Sequence, residues 1–161
     1  MPNNLKKKKF WYDSTGNKYS NEKIKKMIMK YANNGGTIYV GADSMLNSDS
    51  CSFASVIAFH NRERKIARYF VKKIKTKESK YKDIQVKIFE EVNLALETAQ
   101  FVLETSPEAK IEIHVDISTK KTNKTSRFYS MVKGWVAGMG IPLKVKPESW
   151  ASSSIADLHT K

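Results

Sequence analysis

Two aspartates in this chain stand where an aspartate is hard to keep. Asp43 closes the apolar run TIYVGAD (37–43), and Asp116 closes KIEIHVD (110–116). A short charged side chain competes for backbone hydrogen bonds in a strand and resists burial, so something must compensate each of them. The carboxyl end of a strand in an α/β sheet is also where ligand sites gather. If the two strands are parallel neighbours, the carboxylates lie side by side, an unfavourable arrangement unless a cation lies between them. A divalent metal supplies that cation. A hydrogen-bonded cap on the following loop or helix is the competing explanation.

A metal site calls for more oxygen ligands, and the helical pattern from Asp83 to Glu104 offers Glu90 and Glu91. At about 100° per residue, with the apolar stripe centred between Ile88 and Val92, Glu91 falls about 80° from the stripe and Glu90 almost opposite it. Glu91 is therefore expected to reach over the sheet edge, and Glu90 to point to water. Asp157 in the tail SWASSSIADLHTK is a further candidate ligand, with a solvated position as the alternative. Hard oxygen donors without a Cys or His cluster favour Mg²⁺ or Mn²⁺ over zinc. His114, two residues before Asp116, shares its face of the strand, as a partner to the ligands or as a core histidine. His159 is placed to carry a proton near the leaving group. Lys120, Lys121, Asn123, Lys124 and Arg127 follow Asp116 directly, where a nucleic-acid backbone would be held beside the metal. A solvated basic face is the bland reading of that run. Ser44 is a possible phosphate donor or a turn cap, and Trp135 is expected in the core rather than as a base-stacking platform.

These residues need elements to position them. SNEKIKKMIMKYANNGG reads as a short amphipathic helix capped by Ser20, with Ile24, Met27, Ile28 and Tyr31 on one face. TIYVGAD, CSFASVIAF (51–59) and KIARYFVKKI (65–74) read as three strands joined by polar turns. The long helix follows, its Ile84, Ile88, Val92, Ala95, Ala99 and Val102 at helical spacing, and Pro107 ends it. A strand, the helix NKTSRFYSMVKGWVAGMG, the short strand PLKVKP and a serine-capped last helix complete the chain. An antiparallel meander joined to strands reached by helical crossovers is an α/β layout.

Composition bounds the partners. With 161 residues, one domain is expected. The 29 Lys and Arg against 16 Asp and Glu give a net charge of +13 and a pI near 9.7, which favours a polyanion such as nucleic acid. Lysine predominates, so phosphate attraction is better supported than base readout, and KKKK (6–9) reads as a mobile arm adding non-specific affinity. No apolar run long enough to cross a membrane and no secretion signal is seen, and the single Cys51 excludes an internal disulfide, so a soluble protein of the cytoplasm is expected.

An aspartate on the first core strand, a glutamate on the helix after a three-strand meander, an aspartate ending the fourth strand and an aspartate on the final helix resemble the ribonuclease H-like fold. VGADS, IHVDISTKKTNKTSRF, VKGWVAGMG and KPESWASSSIADLHTK are similar, more narrowly, to the YkuK-like branch of that superfamily, found in bacteria and their phages. The resemblance implies a mixed sheet of five strands with flanking helices, in a ribonuclease H-like domain over 37–161. Residues 1–36, a basic arm and a helix, would be appended to it. It also implies Asp43, Glu91, Asp116 and Asp157 as ligands of two Mg²⁺ or Mn²⁺ ions, about 3.5–4 Å apart in sites of this kind, acting in phosphodiester hydrolysis. RNA, RNA–DNA hybrid and branched DNA are the candidate substrates. A module that binds nucleic acid or a host partner without cutting is the alternative.

Overall fold

A computed structural model describes residues 10–59, 68–118, 126–146, 148–151, 155 and 157–160; at 118, 157 and 158 only the backbone is described. The elements run β1 (Phe10–Tyr12), β2 (Lys18–Ser20), α1 (Asn21–Asn33), β3 (Thr37–Leu46), β4 (Cys51–Phe59) and β5 (Arg68–Thr76). A 3₁₀ turn (Ser79–Lys82) then leads into α2 (Ile84–Thr105), followed by β6 (Lys110–Ser118), a second 3₁₀ turn (Ser126–Phe128), α3 (Tyr129–Ala137), β7 (Leu143–Lys146) and α4 (Asp157–Thr160).

The described strands form one sheet of seven in the order β2-β1-β5-β4-β3-β6-β7, not five. The two extra strands come from the stretch expected to be arm: Phe10–Tyr12 pairs antiparallel with Lys18–Ser20, and Tyr12 pairs with Val71 of β5. Asp13 organises the turn between them. It accepts from the Thr15 and Asn17 backbone N–H groups at 3.0 and 2.9 Å and from the Tyr19 hydroxyl at 3.0 Å, and Gly16 takes a φ of 85° that only glycine adopts freely.

Both long helices begin at side-chain caps. Ser20 accepts from the Lys23 N–H at 3.2 Å, and Asp83 from those of Gln85 and Val86 at 2.8 and 3.3 Å. Helices α1 and α2 cover one face of the sheet, where Ile24, Ile28, Val92, Ala95 and Ala99 meet Ile38, Val40, Phe70 and Ile113 with no solvent exposure. The opposite face carries a smaller cluster of Ala54, Val56, Ala58, Val71 and Ile155, flanked by Tyr39, Tyr69 and Trp150, and α4 contacts β3, β4 and β5 there. Ile28 is fully buried between α1 and the sheet. Ile28→Ala should therefore lower the unfolding free energy by about 3 kcal/mol in urea denaturation; a loss under about 1 kcal/mol would mean that α1 is not part of the core. No helix among the described residues is long and apolar enough to cross a membrane.

Candidate active site

Strand alternation decides which carboxylates share a face. Ile38, Val40 and Ala42 pack toward α1 and α2, so Tyr39, Gly41 and Asp43 turn the other way. On β6, Ile111, Ile113, Val115 and Ile117 pack toward α2, which turns Glu112, His114 and Asp116 the other way too. β3 and β6 are parallel neighbours in a register that ends at Ala42 opposite Val115. Asp43 and Asp116 follow at once, side by side on strands about 5 Å apart and on the face carrying α4. The parallel arrangement posed by the sequence is therefore present.

The two aspartates differ in surroundings. Asp43 is 6% exposed. Asp116 is more open, and its Oδ1 lies 3.3 Å from the Lys146 ammonium of β7. That oxygen is closed to solvent and has the ion pair without an aligned hydrogen bond.

Glu91 reaches the sheet from α2, as the helical angle predicts, and is 4% exposed. It meets the opposite face of β3. The Ser44 hydroxyl donates to its Oε1, the Lys87 ammonium lies 3.6 Å from the same oxygen, and Lys87 also donates to Ser44 Oγ at 3.2 Å. Burial pushes the Glu91 carboxyl up to about 7; Lys87 and the Ser44 hydrogen bond oppose the rise, and the nearby Asp116 adds to it. Glu90 does not point to water. It is half-buried beside Tyr81 and Glu97, burial raises its pKa, and its Oε1 is a buried oxygen without a hydrogen bond among the described residues.

Asp43 and Asp116 fit a hard divalent cation in kind and in position. Glu91 as placed does not join them, since Ser44 and Lys87 hold it on the other side of β3. Among the described residues no group of three or more His, Cys, Asp or Glu is gathered closely enough to hold a metal ion. The backbone of Asp157 opens α4, and its side chain lies outside the described atoms.

The remaining candidates separate. His114 is fully buried. Its Nδ1 accepts from the Ala151 N–H at 3.1 Å, which leaves Nε2 to donate to Glu112 at 2.8 Å. With Tyr39 and Trp150 packed around it, the ring ties β6 to the C-terminal segment as a core histidine, and burial lowers its pKa. His159 lies over β5, its Nε2 3.1 Å from the Tyr69 hydroxyl, and burial and the adjacent Lys73 lower its pKa. Lys120, Lys121, Asn123 and Lys124 fall outside the described residues. Arg127 is exposed, its guanidinium 4.6 Å from the centre of the Phe128 ring. Trp135 is not a core residue. It is 42% exposed and meets Phe89 edge-on, because Val132 and Val136 take the buried stripe of α3.

Sequence reasoning missed Lys87 and Lys146. Lys87 was readable as the partner four residues before Glu91. Lys146 needed the β6–β7 pairing, whose register shifts between His114 and Ser118.

No curated protein and no solved structure matches the chain. A family described as ribonuclease H-like matches residues 20–161, which spans the antiparallel meander, both aspartate-bearing parallel strands and the helix of Glu91. A match over that much of the chain, together with a mixed sheet whose neighbouring parallel strands end in paired aspartates, places the protein in the ribonuclease H-like family.

Proposed function

We propose that the protein is a metal-dependent nuclease of the YkuK-like branch that hydrolyses phosphodiester bonds in RNA, RNA–DNA hybrid or branched DNA in the cytoplasm. The pairing of Asp43 and Asp116 at the ends of parallel neighbours is the observation that carries this reading. Asp43 and Asp116 would be the primary ligands of Mg²⁺ or Mn²⁺; Glu91 would have to leave Ser44 and Lys87 to join them, and Asp157 is the fourth proposed ligand of a two-ion set. Bound there, the ions supply a lowered water pKa and positive charge for the phosphate oxygens. Lys146 adjoins Asp116, and Arg127 presents an exposed cation after β6, so both suit contacts to the nucleic-acid backbone. His159, which lies over β5, is a candidate proton carrier.

One arrangement favours the non-cleaving alternative. Lys87 and Lys146 already neutralise Glu91 and Asp116, as they would in a module that keeps the fold and the charge without turnover. Incubation with labelled hybrid, duplex, single-stranded and four-way substrates separates the two readings. Cleavage in Mg²⁺ or Mn²⁺ and none in EDTA is expected, whereas binding without cleavage of any substrate in either metal leaves the binding module. In either case log affinity should fall linearly with log salt concentration, by about 0.7–0.9 per phosphate neutralised. An affinity independent of salt contradicts a backbone-binding surface.

A further inference from the structure

The face of the sheet that bears Asp43 and Asp116 also bears a cationic cavity two strands away. Asp43 stands opposite Ala54 on β4, and Ala54 stands opposite Lys73 on β5. The three form one row across the sheet, and at about 5 Å per strand Lys73 lies about 10 Å along it from Asp43. In the next row Ser52 stands opposite Lys75. The small side chain of Ser52 leaves room between β4 and α4, whose His159 and Thr160 line the gap with Asn47. The cavity has a volume of about 380 Å³.

Its polar lining is of one kind. Lys73 and Lys75 bring ammonium groups, His159 an imidazole, Asn47 an amide, and Ser52 and Thr160 hydroxyls; no Asp or Glu among the described residues lines it. Neither lysine forms an ion pair with a described residue, unlike Lys87 and Lys146. Two cations without counter-ions among the described residues, beside hydroxyl and amide donors, make a seat for an anion with several acceptor oxygens. The Tyr69 hydroxyl, 3.1 Å from its Nε2, orients the His159 ring at the cavity.

We infer that this cavity seats a backbone phosphate of the bound nucleic acid, on a stretch flanking the phosphodiester held at Asp43 and Asp116. The inference rests on the nuclease reading and deepens it. A separation of about 10 Å places that phosphate within a few nucleotides of the carboxylates along the same backbone. The row of register pairs then gives the direction in which the strand crosses the sheet, from β6 and β3 toward β5.

The test compares Lys73→Gln/Lys75→Gln with Lys26→Gln/Lys30→Gln. The second pair removes the same charge from exposed positions on α1, which covers the opposite face. Anisotropy of a labelled twelve-nucleotide RNA in EDTA and about 0.1 M salt reads affinity without turnover. Nuclear magnetic resonance of the His159 ring during titration with inorganic phosphate reads the cavity directly. The cavity variant is expected to bind the RNA about tenfold more weakly, with a shallower salt slope by about one phosphate contact, against under about threefold for the control. Phosphate should shift the His159 signals of the wild type and not those of the cavity variant. Equal losses of RNA affinity in the two variants, or an unresponsive His159 in the wild type, overturn the inference. A phosphate response in a protein that binds no RNA leaves free phosphate as the ligand and refutes the nucleic-acid reading itself.

Discussion

Asp116→Asn is expected to lower Mg²⁺-dependent cleavage at least about 10³-fold while leaving the metal-free protein as stable as the wild type, to within about 1 kcal/mol. The two halves of that result have separate causes. Asp116 is partly exposed, and its ion pair is with a Lys146 that is itself 39% exposed, so solvent screens the pair and its loss is small. Removing one negative charge beside Asp43 and near Glu91 also relieves repulsion, which offsets that loss. Asparagine keeps the shape of the side chain but gives up the anionic oxygen that a hard cation requires. If Asp116 instead served as a local cap, asparagine would replace it nearly as well, and cleavage would survive. Thermal melts with and without Mn²⁺ distinguish the two, because a ligand that binds the folded state alone raises the melting temperature. The wild type should gain that shift and the Asn and Ala variants should not. An Asn variant that cuts at the wild-type rate removes Asp116 from the centre of the site.

The parts of this site that were legible in the sequence are those set by short periodicities. Alternation in TIYVGAD and KIEIHVD places both aspartates at strand ends, and the 3.6-residue repeat of α2 singles out Glu91 from Glu90. The same alternation also places Ser44 and Asp43 on opposite faces of β3, which is why Glu91, bound to Ser44, stands apart from the aspartates. The hairpin of β1 and β2 was hidden because its strands are three residues each, too short for a pattern, and adjoin a lysine run that reads as an arm. Its signal was the turn: Asp13, Gly16 and Asn17 supply the carboxylate acceptor and the positive φ that a tight reversal needs. Trp135 was misplaced for a different reason. In a nine-residue helix with one buried stripe, a tryptophan at its edge meets Phe89 edge-on and stays half in solvent.

Lys87→Met is expected to destabilise the metal-free protein by about 3 kcal/mol at pH 8, and Glu91→Gln to stabilise it under the same conditions. Glu91 is buried, and Ser44 and Lys87 are its polar partners beside β3. Without Lys87 its charge is left in the core with one hydroxyl, and the carboxyl must take up a proton or open the α2–β3 contact. The sign with pH follows from the raised carboxyl. An unfolded Glu91 gives up its proton near 4.5, whereas the folded one holds it to about 7, so its contribution to stability is complete below pH 4.5 and is lost as pH rises through 7. A difference of that size corresponds to about 3 kcal/mol between the two ends of the window. Urea denaturation in EDTA at pH 5 and pH 8 measures it, and subtracting the Glu91→Gln profile removes the part due to His114 and His159. Wild type should lose stability from pH 5 to 8 relative to Glu91→Gln, and Lys87→Met should carry the loss to still higher pH, since Lys87 holds the carboxyl down. Identical slopes in wild type and Glu91→Gln would mean that water reaches the carboxylate and that the Lys87 pair is incidental. Mn²⁺ then reports whether Glu91 joins the aspartates: a cation beside it replaces Lys87 as the counter-charge, so saturating Mn²⁺ should flatten the wild-type profile and rescue Lys87→Met, and a profile unchanged by Mn²⁺ would confine the metal to Asp43 and Asp116.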